Sequence, residues 1–149
     1  MILIKNKQRT IKIDVEQLEK DAQAILNSLK YDDYDLGILL CSDAAMRTYN
    51  RDFRNKDKAT DVLSFPYHPQ LRAGERIKPV SPEDKNLGDI IIAPKYVLKD
   101  LPRWEQSFED RMKVLLVHGI CHLLGYDHEK DEEYKVMHRR EKSLLKIIS

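Results

Sequence analysis

The chain has only two cysteines, no long apolar run and no excess of charge of either sign, and each shortage removes a class of protein. Cys41 and Cys121 are too few for a disulfide framework and are expected to stay reduced. No window approaches the roughly 20 apolar residues that a membrane-spanning helix needs, and the opening MILIK lacks the basic region and cleavage site of a secretory leader. The expected address is the cytoplasm. Lys plus Arg number 26 against 25 Asp plus Glu, so no whole-molecule field draws in a polyanion, and any nucleic-acid site must be local. Aromatic residues make up 7% of the chain, too few for the stacking platforms of a dedicated single-strand binder. What remains is one domain, residues 1–149, of a size that buries a substantial core.

Along the chain, MILIK and TIKID read as short strands separated by NKQR, and Asp14 then caps a helix. Val15, Leu18, Ala22, Ile25, Leu26 and Leu29 recur at three and four and give that helix one apolar face. Leu36 to Leu40 is a buried strand, and Ser42 with Asp43 caps a short helix holding Met46 and Tyr49. RDFRNKDKAT, residues 51–60, reads as a charged loop leading into a strand over Val62–Phe65 that Pro66 stops. Residues 67–88, rich in proline, glycine and charge, predict a long mobile surface excursion. A strand over Asp89–Ala93, a short helix from Pro94, a longer one over Ser107–Leu124 closed by Gly125, and a last helix over Asp131–Ile148 complete an α+β pattern. There is no internal repeat.

Three of the five histidines lie in HGICHLLGYDH, residues 118–128. His118 and His122, four apart on a helix, present both imidazoles on one face, where two ring nitrogens can reach one ion. Gly125 can take positive φ, which lets the chain reverse and bring His128 to the same ion. Three protein ligands leave one position open, the arrangement of catalytic zinc, in which bound water acquires a pKa of about 7. One Zn2+ per chain is the expectation, although histidine ligands also accept other divalent transition metals. The spacing is shared with metzincin proteases, but Gly119 stands where those enzymes carry their glutamate base. Either the ion's own charge activates water or another residue moves the proton, and Asp127 is the neighbouring candidate. Orienting a ligand or simply making a turn suits Asp127 better. His68 and His138 read as surface residues, and Met137 as core of the last helix.

HGICHLLGYDH, together with YNRDFRNKDKATDVLSFPY at 49–67 and LGDIIIAP at 87–94, resembles the YbeY family of bacterial metal-dependent endoribonucleases, and the likeness covers nearly all of the chain beyond residue 30. The resemblance implies a zincin-like α+β fold, a small mixed sheet packed with helices, and a metal site on the penultimate helix and the turn after it. It implies zinc on His118, His122 and His128, hydrolysis of single-stranded RNA, 3′-end maturation of small-subunit ribosomal RNA, and ribosome quality control in the company of ribosome-associated proteins. Its functional arginine falls on Arg54, so that Arg54 and His122 are the residues expected to carry catalysis. Cys121 replaces the usual leucine and is expected to be buried, because adjacent helix positions point about 100° apart.

A guanidinium such as Arg54 fits phosphate oxygens bidentately, whereas by composition alone Arg54 is one more cation in a solvated run with Arg51, Lys56 and Lys58. The TDVLSF strand, if it lies at a sheet edge beside the metal, offers a rail for an extended substrate. Two other functions remain open from the sequence: a peptidase-like zinc hydrolase, disfavoured by Gly119, and a non-catalytic RNA-docking assembly factor with structural zinc. Attack by the 2′-hydroxyl and direct attack by water are both open.

Overall fold

The computed structural model describes residues 1–149. Four strands, β1 (Ile2–Asn6), β2 (Asp35–Leu40), β3 (Val62–Pro66) and β4 (Asn86–Ile92), form one sheet in the order β1-β2-β4-β3. β1, β2 and β4 are parallel, and β3 runs antiparallel along the edge with Leu63 opposite Ile91. Alternation of side chains sends Leu36, Ile38, Leu40, Ile90 and Ile92 into one core, and Leu39, Leu63 and Ile91 toward the other face. The larger core lies against α1 (Val15–Ser28), α4 (Phe108–Leu123) and α5 (Asp131–Ile148) and draws buried residues from Ile2 to Ile148. α2 (Asp43–Arg54) covers part of the second face through Met46 and Tyr49, and α3 (Pro94–Asp100) begins at a proline whose missing N–H costs a helix start nothing.

The caps at Asp14 and Ser42 fall where expected, and Ser107, read as the first helical residue, is a third. Asp14 accepts from the Gln17 N–H, Ser42 from Ala45 and Ser107 from Asp110, each satisfying a donor that a helix start leaves free. Three segments differ from the sequence reading. TIKID forms no strand, because the Gln8 carboxamide bonds both backbone groups of Ile11 and Asn6 Oδ1, closing a turn around groups that a sheet partner would have used. Ile13 still packs on the core.

The charged stretch after residue 50 is half helix: α2 continues to Arg54 and stops at Asn55 with φ 55°, a left-handed cap. Buried Asn50 donates to the Lys58 carbonyl at 2.8 Å, and Arg47 grips Asp57 with two bonds at 2.8 and 3.1 Å, folding residues 55–58 back along the helix.

The excursion after β3 is tied down. Arg76 donates to the carbonyls of Leu29 (2.6 Å) and Lys30 (3.0 Å) at the end of α1 while lying over the Tyr31 ring. The Tyr31 hydroxyl accepts from the Ile77 N–H. His68 Nε2 bonds the Asp84 carbonyl at 2.7 Å, so this histidine staples the segment rather than decorating the surface. The excursion also ends earlier than expected, since β4 starts at Asn86 and bulges through Gly88, whose φ of 118° and contact with the Phe65 carbonyl admit no side chain. No helix is long and apolar enough to cross a membrane.

Candidate metal centre

α4 is buried along most of its length, with Met112, Leu115, Leu116, Ile120, Cys121 and Leu123 in the core. Its half-exposed face holds His118 and His122. The helix ends in a double bond pattern, Tyr126 N–H to the Cys121 carbonyl and Gly125 N–H to the His122 carbonyl, both at 3.1 Å, with Gly125 at φ 92°. That Schellman closure turns the chain back on itself, as the glycine spacing predicts. Any Cβ on Gly125 would strike the Leu71 carbonyl oxygen, so the excursion packs directly against the reversal.

The turn returns His128 to the other two rings. One ligand atom from each of His118, His122 and His128 lies within 4.8 Å of the others. His118 Nε2 and His122 Nε2 face each other at 3.0 Å, and the His128 ring stacks on His118 with centroids 5.5 Å apart. Burial, with the adjacent His118 and His128 next, pushes the His122 pKa down to about 4, so its ring is neutral at pH 7 and retains a lone pair. His118 Nδ1 lies 2.9 Å from Glu141 Oε2 on α5. An ionised carboxylate only accepts, so Nδ1 carries the proton. Imidazole nitrogens converging at these distances, with one ring already oriented from behind, suit a borderline divalent ion such as zinc.

The residues around the triad fall into place by the same geometry. Asp127 accepts from the His128 backbone N–H at 2.7 Å and shapes the turn. Cys121 is fully buried, with burial, then the Glu141 charge, pushing its thiol up to about 12, and it stands outside the group of converging ligand atoms. Met137 is core, and His138 is an exposed ring stacked on Tyr134. A Cβ on Gly119 would come within 2.9 Å of Ile90 Cδ1, so α4 sits too close to β4 for the glutamate a metzincin would place there.

β3 is an edge strand, as the substrate-rail reading requires, and its Ser64 hydroxyl lies 3.5 Å from the Gly119 carbonyl. The beginning of that strand is fastened to α4 by Arg111, which stacks 3.6 Å above Trp104 and pairs with Asp61 at 3.5 Å. Arg54 is exposed at the end of α2. Its one polar contact is a long 3.5 Å bond to Asn50 Oδ1, and no hydrogen bond joins it to the histidines.

Glu141 is the residue that the motif reading missed. It stands between Met137 and Leu144 at spacings of four and three on the buried stripe of α5. A carboxylate in an otherwise apolar stripe was the available signal.

A family model described as Endoribonuclease YbeY matches residues 3–149. Relatives with the same description include one from Syntrophotalea carbinolica, 40% identical over 99% of this chain and 95% of its own length. Others come from Homo sapiens, 35% identical over 97% and 86%, and from Aquifex aeolicus, 36% over 99% and 91%. Among solved structures, the solution structure of TM1509 from Thermotoga maritima superposes with a TM-score of 0.65 at 26% identity, covering 99% of this chain and 89% of that one.

Proposed function

The chain belongs to the YbeY family of hydrolytic endoribonucleases, and from that premise we propose that it cuts single-stranded RNA at a zinc ion held by His118, His122 and His128, in 3′-end maturation of small-subunit ribosomal RNA. The observation that carries the metal reading is the convergence of three imidazoles whose nitrogens have no better occupant than a cation. When bound, zinc supplies Lewis acidity toward a phosphate ester.

The protein's own groups do the rest. His118, His122 and His128 would hold the ion, with His122 kept neutral by its burial. Arg54, free of any ion pair, is available to grip a phosphate with its planar fork and to offset charge that grows on phosphorus. β3 runs beside α4 with one edge unpaired, and an extended strand of RNA can lie along it. Gly119 leaves no carboxylate at the position of the metzincin base, and its packing on Ile90 argues against a peptidase. We place the work of the protein in the cytoplasm, on or near the ribosome, with residues 1–149 acting as one domain.

The test is cleavage of a labelled single-stranded RNA together with elemental analysis of wild type, His122→Ala and Arg54→Ala, with folding followed by circular dichroism. About one zinc per wild-type chain, lost with cleavage in His122→Ala, and retained zinc with weakened cleavage in Arg54→Ala, are the expected results. Undiminished cleavage by folded His122→Ala would overturn the metal mechanism.

A further inference from the structure

We infer that Glu141 is a positioning residue for the metal centre: by accepting the Nδ1 proton of His118 it fixes which ring nitrogen is bare and where that nitrogen points. This rests on the metal reading above and adds to it a carboxylate from a different helix.

The chemistry follows from one contact. Glu141 Oε2 lies 2.9 Å from His118 Nδ1, and the two side chains are 17% and 27% exposed. A neutral imidazole has one N–H, and the partner of one nitrogen decides the state of the other. With the proton held on Nδ1, Nε2 carries the lone pair, and it is Nε2 that faces His122 across 3.0 Å. The same bond stops rotation of the ring about its Cβ–Cγ axis. Glu141 itself stands outside the group of ligand atoms, so its influence on the ion passes through His118.

Stability is a poor reason for this carboxylate. Its neighbours on the inner stripe of α5 are Met137, Leu144 and Ile148, and an apolar side chain would fill the position without the cost of desolvating a charge. His118 is its hydrogen-bond partner. Outer carboxylates of this kind change metal affinity by about 10 to 100-fold when removed.

The experiment compares wild type with Glu141→Leu, which fills the space, and Glu141→Gln, which keeps an acceptor but loses the charge. Zinc affinity is measured by competition with a chromophoric chelator. The tautomer of His118 is read in the metal-free protein at pH 8 by long-range 15N–1H correlation, with thermal melting recorded alongside. The expected result is a folded Glu141→Leu whose zinc affinity falls about 10 to 100-fold, and Glu141→Gln in between. His118 Nε2 should be bare in wild type and in Glu141→Gln but partly protonated in Glu141→Leu. Unchanged affinity and an unchanged tautomer in Glu141→Leu would overturn the inference. So would loss of affinity only in step with loss of folding, which would make the pair a plain link between α4 and α5. If wild type takes up no zinc, the metal reading fails, and the tautomer measurement still decides what Glu141 does to His118.

Discussion

The histidine turn and the Arg54 corner are built on opposite plans. The three histidines are fixed from behind: by a helix buried against the sheet, a glycine reversal with no spare volume, and a carboxylate behind one ring. Arg54 projects from the last turn of a helix with a single long bond to Asn50. A site that must hold an ion gains by rigidity, because distorted ligands lose affinity, whereas a side chain that meets a flexible polyanion can be ordered by the substrate itself. On the proposed function, permanent structure serves the metal and induced structure serves the phosphate.

Substitutions at the two regions should therefore fail in different ways. The largest effect is expected from His122→Ala, which removes a half-buried ligand: zinc content and RNA cleavage both fall to background, as read by elemental analysis and gel assay. If zinc stays, the comparison breaks at its stronger end. Arg54→Ala should lose about 10²- to 10³-fold in turnover, the scale of one preorganised charge-stabilising donor. It should keep its zinc and change unfolding free energy by no more than about 0.5 kcal/mol in urea titration, since an exposed side chain with one weak contact supports little.

Gly119 sharpens the contrast on the stability side. Gly119→Ala gains about 1 kcal/mol of helix propensity and loses about as much by crowding Ile90, so denaturant melts should show little net change. Gly119→Glu should cost at least about 1–3 kcal/mol by overpacking, and should confer no peptidase activity. The smallest effect is that of acid on the metal-free protein. His122 has its pKa lowered from 6.5 to about 4, so the folded state refuses a proton that the unfolded chain accepts. Its contribution to stability is complete above pH 6.5 and declines as pH falls through 6.5 toward 4. Melting temperatures across that window should drop more in wild type than in His122→Ala, whereas Arg54→Ala should follow wild type.

What could be read from the sequence was what is local. Helix caps, the four-residue spacing of His118 and His122, and the reversal at Gly125 each depend on residues within one or two turns, so the motif and the penultimate helix were placed correctly. Glu141 lies 23 residues from His118 on a separate helix, and only the packing of α5 on α4 makes them neighbours. TIKID has the alternation of a strand, but the Gln8 side chain supplied competing hydrogen bonds that no periodicity reveals. The pinning of the 67–85 segment turned on Arg76 finding the open carbonyls at the end of α1, a meeting across 46 and 47 residues.

The contact between Gly125 and the Leu71 carbonyl also sets a rule for chain length. The excursion runs over the surface, and its tip at Gly74 has open space where a side chain would go. Extra residues at that tip would open the hydrogen-bonded Arg72–Glu75 turn and add loop entropy, which grows slowly with length. The same insertion between His68 and Leu71 would shift the carbonyl on which the histidine reversal rests. Two places a few residues apart in one loop thus differ in what evolution or an engineer can add to them: at one an insertion opens a single surface turn, at the other it moves the backbone on which the histidine turn is seated.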